Sequence, residues 1–121
     1  MNNENVVDHP LSIDWQLSIT LAGGDKKLAK DLLEMYIADL PRSSEAIHAA
    51  HLEKQYGELL NQVHRLHGAS CYCGVTRLKS ILSNMEFAAR EKQTQQFEDA
   101  LHEFDEEVNN VMASYKMVSF A

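Results

Sequence analysis

The sequence predicts an all-α fold: an antiparallel up-down four-helix bundle with an additional short N-terminal helix. Three observations predict it. Two prolines and five glycines in 121 residues leave little turn material, whereas a β-sandwich needs a turn signal roughly every 8–12 residues. The strong helix formers Ala, Leu, Glu, Lys and Gln are abundant instead. Apolar residues also recur at helical spacing through four long segments joined by short links.

The chain reads as a flexible tail over 1–11, one domain over 12–117 and a C-terminal tail over 118–121. Asp8-His9-Pro10 breaks the tail from a short helix that starts near Ser12 or Asp14, either a good N-cap. That helix carries Trp15, Leu17, Ile19 and Leu21 and stops at Gly23-Gly24. Asp25 can cap a second helix with Leu28, Leu32, Met35, Tyr36 and Leu40 on its apolar side. Pro41 kinks or ends it, and Ser43 or Ser44 can cap a continuation through Ile47, Ala50 and Leu52. A third helix holds Tyr56, Leu59, Leu60, Val63, Leu66 and Ser70 within about a third of its circumference. Gly74 marks the next boundary. A fourth helix runs from about Thr76 with Leu78, Ile81, Leu82, Met85 and Ala89 inward. After the polar link Glu91-Lys92-Gln93-Thr94, a fifth carries Phe97, Ala100, Leu101, Phe104, Val108, Val111 and Met112.

Composition excludes several classes of function. A net charge of -7 is unsuited to nucleic acid, which demands a basic footprint. No apolar run approaches the roughly 18 residues needed to span a bilayer, and the polar N-terminus does not resemble a signal peptide. Two cysteines, Cys71 and Cys73, are too close for an ordinary stapling disulfide, so a reducing, cytoplasmic compartment is expected.

The chemistry concentrates in Val63-His64-Arg65-Leu66-His67-Gly68-Ala69-Ser70-Cys71-Tyr72-Cys73-Gly74. With Leu59 at 0° on the wheel, the apolar stripe centres near about 35° and His64 falls at about 140°, toward solvent. Gly57 and Gly68 fall at about 160° and about 180°, on nearly the same face. A mid-helix glycine costs roughly 1 kcal/mol against alanine. That loss makes sense if something large must approach His64. Glycines that merely end or kink helices are the plainer alternative. From Leu59 through Met85 there is no Asp or Glu, while Arg65, Arg77 and Lys79 are present. Such a surround suits an anionic group. An exposed neutral imidazole can accept a phosphoryl group near neutral pH, and phosphoryl transfer asks mainly for positioning and charge neutralisation.

These residues carry a resemblance. His64-Arg65-Leu66-His67-Gly68 followed by Gly74 is similar to the H-x-[LH]-[KH]-G-(x)5-G signature of histidine phosphotransfer (HPt) domains. The C-terminal HPt domains of BarA/GacS-type hybrid sensor kinases are more similar still. Ile13-Asp14-Trp15-Gln16-Leu17-Ser18, Ala22-Gly23-Gly24 and Leu28 to Met35 also resemble that family, so the likeness covers roughly residues 13 to 115.

The resemblance implies that His64 is the phosphoryl acceptor and donor in a two-component phosphorelay. His67 would be the phosphate neighbour, standing where most HPt domains have lysine. Gly68 would give a receiver domain room, and Gly74 would sit at the turn or close packing between the two central helices. Gly57, Asn61, Arg65, Gly68, Cys71, Arg77 and Lys79 would form the docking and steering surface. The partners implied are response-regulator receiver domains of the GacA/UvrY kind, which would bring the Mg²⁺. The chain itself would bind no cofactor, hold no ATP site, enter no membrane and be monomeric, in the cytoplasm or tethered beneath a membrane by a parent kinase.

Two other readings compete. A bundle could dock on a signalling partner without covalent chemistry. A metal site could use Glu45-x-x-His48, weakly echoed by Asp99-x-x-His102, with Glu34 or Glu58 from the other helices. Cys71 and Cys73 point about 200° apart on a helix and do not converge on one ion, so they read as packing residues.

Overall fold

The computed structural model describes residues 11–120, and every described regular element is a helix: α1 (Trp15–Leu21), α2 (Lys26–Leu52), α3 (Tyr56–Ser70), α4 (Thr76–Arg90) and α5 (Thr94–Tyr115). Each long helix packs on the next, and α5 closes back on α2. α1 lies on α2 as the additional helix. The expected 1–11 tail lies outside the described residues except for Leu11.

Local signals set the ends. The Asp14 carboxylate accepts from Leu17 N–H at 3.0 Å, and Asp25 accepts from Leu28 N–H at 3.0 Å, so both aspartates cap as expected. The α2–α3 and α4–α5 turns both read Glu-Lys-Gln, with Lys54 and Lys92 at φ 58°. In each, the glutamine N–H bonds a carbonyl five residues back, Ala50 at 2.9 Å and Ala88 at 2.8 Å, which satisfies carbonyls the helix end would orphan.

Of the two expectations for Pro41, an end to the helix is not met: α2 runs through it from Lys26 to Leu52. Proline removes one helical hydrogen bond, but Ile37 and Leu40 before it and Ile47 and Ala50 after it are all buried. Burying that whole stripe outweighs one lost bond. Ser43 is not a cap and donates to Asp39 at 3.1 Å. Leu28 and Met35, expected inward, are 44% and 68% exposed, and Tyr56 is also exposed. Ala29, Leu33 and Ile37 take the inner row of α2.

The core is continuous through Leu33, Leu40, Ile47, Val63, Leu78, Leu82, Met85, Phe104 and Val111. Tyr36 ties α2 to α3 inside it. The Ser70 hydroxyl spends its proton on the Leu66 carbonyl at 2.9 Å, so the Tyr36 hydroxyl donates to Ser70 Oγ at 2.6 Å. Burial pushes the Tyr36 phenol well above its ordinary range.

The C-terminal segment is less free than a tail. Val118 and Phe120 pack against the core, and Phe120 meets the Trp15 ring edge-on at 4.9 Å. Gly74 sits in the α3–α4 turn, pressed by the start of α1 rather than by a helix–helix contact. Its carbonyl accepts from Asp14 N–H at 2.7 Å and its N–H donates to Ser18 Oγ at 2.9 Å. A Cβ at 74 would overlap the Asp14 carbonyl oxygen.

Candidate functional site

His64 stands midway along α3 with its side chain 70% exposed. Beneath it, α4 supplies a residue that the sequence reading missed, Glu86. The Glu86 side chain is 10% exposed, and its Oε2 lies 2.6 Å from His64 Nδ1. Burial pushes the Glu86 carboxyl up, but the His64 hydrogen bond and the charges of His64, His67 and Arg90 outweigh burial and hold it below the usual carboxylate range. Glu86 is therefore an acceptor, and Nδ1 is the donor. In the neutral ring this leaves the lone pair on Nε2, across the ring from the anchored nitrogen.

The same carboxylate serves two more groups. Glu86 Oε1 lies 3.0 Å from His67 Nδ1, and Arg90 donates to Oε2 at 2.9 Å. The acid-poor surround inferred from the sequence is thus corrected: the acid-free run ends at Met85, and the next residue is the one under the ring. A lone glutamate continuing the buried row Leu78, Leu82, Met85 was the available signal, because a buried carboxylate requires partners.

The other expected residues divide. Gly57 and Gly68 are exposed and open, with nothing within 4 Å of an added Cβ at either. Asn61 and Arg65 are exposed on α3 between them. Cys71 closes α3, its thiol donating to the His67 carbonyl at 3.6 Å. Lys79 is exposed and lies about 20° from Glu86 on the α4 wheel. Arg77 does not join this face. It lies about 180° from Glu86 on that wheel, and its Nε is 3.5 Å from Glu107 on α5.

The metal reading finds no assembled ligand set: among the described residues, no three His, Cys, Asp or Glu side chains come together as a metal group. His48 instead meets Asp105 at 2.7 Å, and His51 lies 3.8 Å from Glu98. Cys73 is buried, its thiol donates to the Leu32 carbonyl at 3.7 Å, and burial pushes it up to about 11, which suits packing rather than thiolate chemistry. Among the described residues no helix is long and apolar enough to cross a membrane.

Known proteins share this architecture and sequence. The HPT domain of the Hpt sensor hybrid histidine kinase from Shewanella superposes with a TM-score of 0.81 at 30% identity, covering 88% of this chain and 92% of that one. The chain is 33% identical over 110 residues to the sensor protein GacS of Pseudomonas syringae pv. syringae, covering 91% of this chain. It is 32% identical over 110 residues to the signal transduction histidine-protein kinase BarA of Escherichia coli, covering 90% of this chain. It spans only 12% of the length of either kinase. The Hpt domain family model matches residues 31–114. A helical bundle with an added N-terminal helix, a sequence shared with phosphorelay kinases and this match give one conclusion: the chain belongs to the Hpt domain family, the histidine phosphotransfer modules of two-component signalling.

Proposed function

We propose that His64 Nε2 accepts a phosphoryl group from an aspartyl phosphate on a receiver domain and returns it to a receiver aspartate. The observation that carries this reading is the ring itself, its side chain 70% exposed and held through Nδ1 by Glu86 at 2.6 Å. In the forward step the Nε2 lone pair attacks phosphorus in line, an N–P bond forms and the P–O bond to the aspartyl carboxylate breaks. The ring keeps its Nδ1 proton and gains positive charge, which the Glu86 carboxylate stabilises. The reverse step relieves that charge, so the same contact serves both directions.

His67 and Arg90 stand around Glu86 where they can offset the charge of the incoming phosphoryl group. Gly57 and Gly68 leave the approach open, and Asn61, Arg65, Cys71 and Lys79 border it. The receiver domain supplies the Mg²⁺ and its acidic pocket. The chain supplies no glycine-rich phosphate loop and acts as a phosphoryl carrier rather than as a kinase. GacA/UvrY-like regulators are the partners this reading favours, with the domain facing the cytoplasm.

The test is transfer from a ³²P-labelled receiver domain. The expected result is acid-labile, base-stable label on the chain, absent in His64→Gln. Stable receiver binding with no label on the wild-type chain would overturn covalent transfer in favour of simple docking.

A further inference from the structure

A second feature lies on the side of α4 turned away from His64. Glu107 of α5 is 1% exposed, yet its two carboxylate oxygens are served unequally. Asn110 donates to Oε1 at 3.1 Å and Arg77 Nε lies 3.5 Å from that same Oε1. Glu107 Oε2 is buried and has no hydrogen-bond partner among the described residues. Buried carboxylate oxygens are nearly always partnered, so an orphan calls for a donor. Glu107 also helps line a cleft of about 220 Å³ between α4 and α5, together with Ser80, Ile81 and Asn84 on one side and Glu103 and Glu106 on the other. Three carboxylates face one guanidinium there.

We propose that this cleft binds a primary alkylammonium group, either a lysine side chain of a partner protein or a free polyamine. The chemistry favours it over a metal ion. No three-ligand metal group forms among the described residues. An ammonium head brings three N–H donors and no acceptor. One meets the orphaned Glu107 Oε2 once Arg77 leaves Oε1 and the carboxylate turns toward the cleft, and the others reach the Ser80 hydroxyl, the Asn84 amide oxygen or the rim carboxylates. Ile81 offers an apolar wall to the methylene stem. Arg77 and Glu86 lie about 180° apart on α4, so the cleft can be filled while His64 stays open. The domain would thus present a cationic face for phosphoryl exchange and a separate acidic face for anchoring.

The test is a ¹H–¹⁵N NMR titration of the full chain with n-butylammonium chloride against matched NaCl. The expected result is saturable shifts at residues 77–84 and 103–110 in the millimolar range. Binding should weaken at least about fivefold in Glu107→Gln and in Glu103→Gln, whose exposed site keeps the test valid if the buried variant unfolds. Putrescine binding about tenfold tighter than the monoamine assigns the site to free polyamines. Equal binding by Nα-acetyl-lysine methylamide assigns it to protein lysines. Shifts that track NaCl, that Mg²⁺ reproduces more strongly, or that survive both substitutions would overturn the proposal.

Discussion

Glu86 Oε2 and His64 Nδ1 meet at 2.6 Å across the α3–α4 groove, and this contact leaves Nε2 as the ring nitrogen not held by Glu86. In the proposed transfer the carboxylate plays the part an orienting acid plays behind a catalytic histidine: it sets the tautomer and stabilises the positive ring. In Glu86→Ala the ring samples both tautomers and loses its counter-charge. Phosphoryl transfer should fall by about 10–100-fold, and ¹⁵N spectra of the His64 ring should show Nδ1 losing its protonated signature. Glu86→Gln can still accept the Nδ1 hydrogen bond and should fall between wild type and alanine. Unchanged transfer in the alanine variant would remove Glu86 from the chemistry.

The same residue gives a pH dependence with a definite sign. Glu86 titrates below its ordinary range in the folded chain, so the unfolded state binds its proton first as pH falls. Its contribution to stability is complete above the ordinary carboxylate range and disappears as pH drops through the lowered folded value. The stability gap between wild type and Glu86→Gln, followed by urea denaturation, should therefore shrink as pH falls through the carboxylate range. A gap that widens in acid would contradict the lowered carboxyl.

Gly68 separates access from stability. It lies in the last turn of α3 with open space where a Cβ would project, so Gly68→Ala should raise stability by up to about 0.5–1 kcal/mol. Gly68→Gln should also fold, yet it would put a long side chain one turn beyond His64 on the approach side. Receiver-dependent transfer should fall at least about tenfold while the melting temperature holds or rises. Normal uptake by the glutamine variant would show that the glycine serves the helix and not the partner.

The His64 side of the site was legible because it is local: one helix carries His64, His67, Gly57 and Gly68, and helical periodicity places them without knowledge of the fold. The helices were legible for the same reason, through Asp14 and Asp25 as caps and apolar rows in α3, α4 and α5. What depended on another helix was not. Glu86 lies 22 residues from His64 in sequence, and only the α3–α4 packing brings it under the ring. Arg77 looked like a docking cation until α5 drew it to Glu107. The inner row of α2 was read correctly at Leu32, Tyr36 and Leu40 and misread at Leu28 and Met35, because Ala29 is too small to mark a core position whereas Leu28 and Met35 are apolar residues on the surface. Pro41 left open whether the helix ends there, because local propensity says nothing of the buried stripe on either side of it.

The latch between α1 and the α3–α4 turn is the last test, and it is separate from catalysis. Ser18 Oγ donates to the Asp14 carbonyl at 3.2 Å and accepts from Gly74 N–H at 2.9 Å, with Ser18 itself buried. Ser18→Ala leaves a buried N–H without its acceptor and should cost about 1–3 kcal/mol. Gly74→Ala drives a methyl group into the Asp14 carbonyl, and a backbone atom cannot swing aside as a side chain can, so about 1–3 kcal/mol is expected there too. Both changes act on the same contact, so the double variant should lose less than the sum of the single losses. His64 labelling by phosphoramidate, which needs no docking partner, should be unaffected wherever the bundle remains folded. Full additivity would mean that Ser18 and Gly74 stabilise α1 independently and that no shared latch exists.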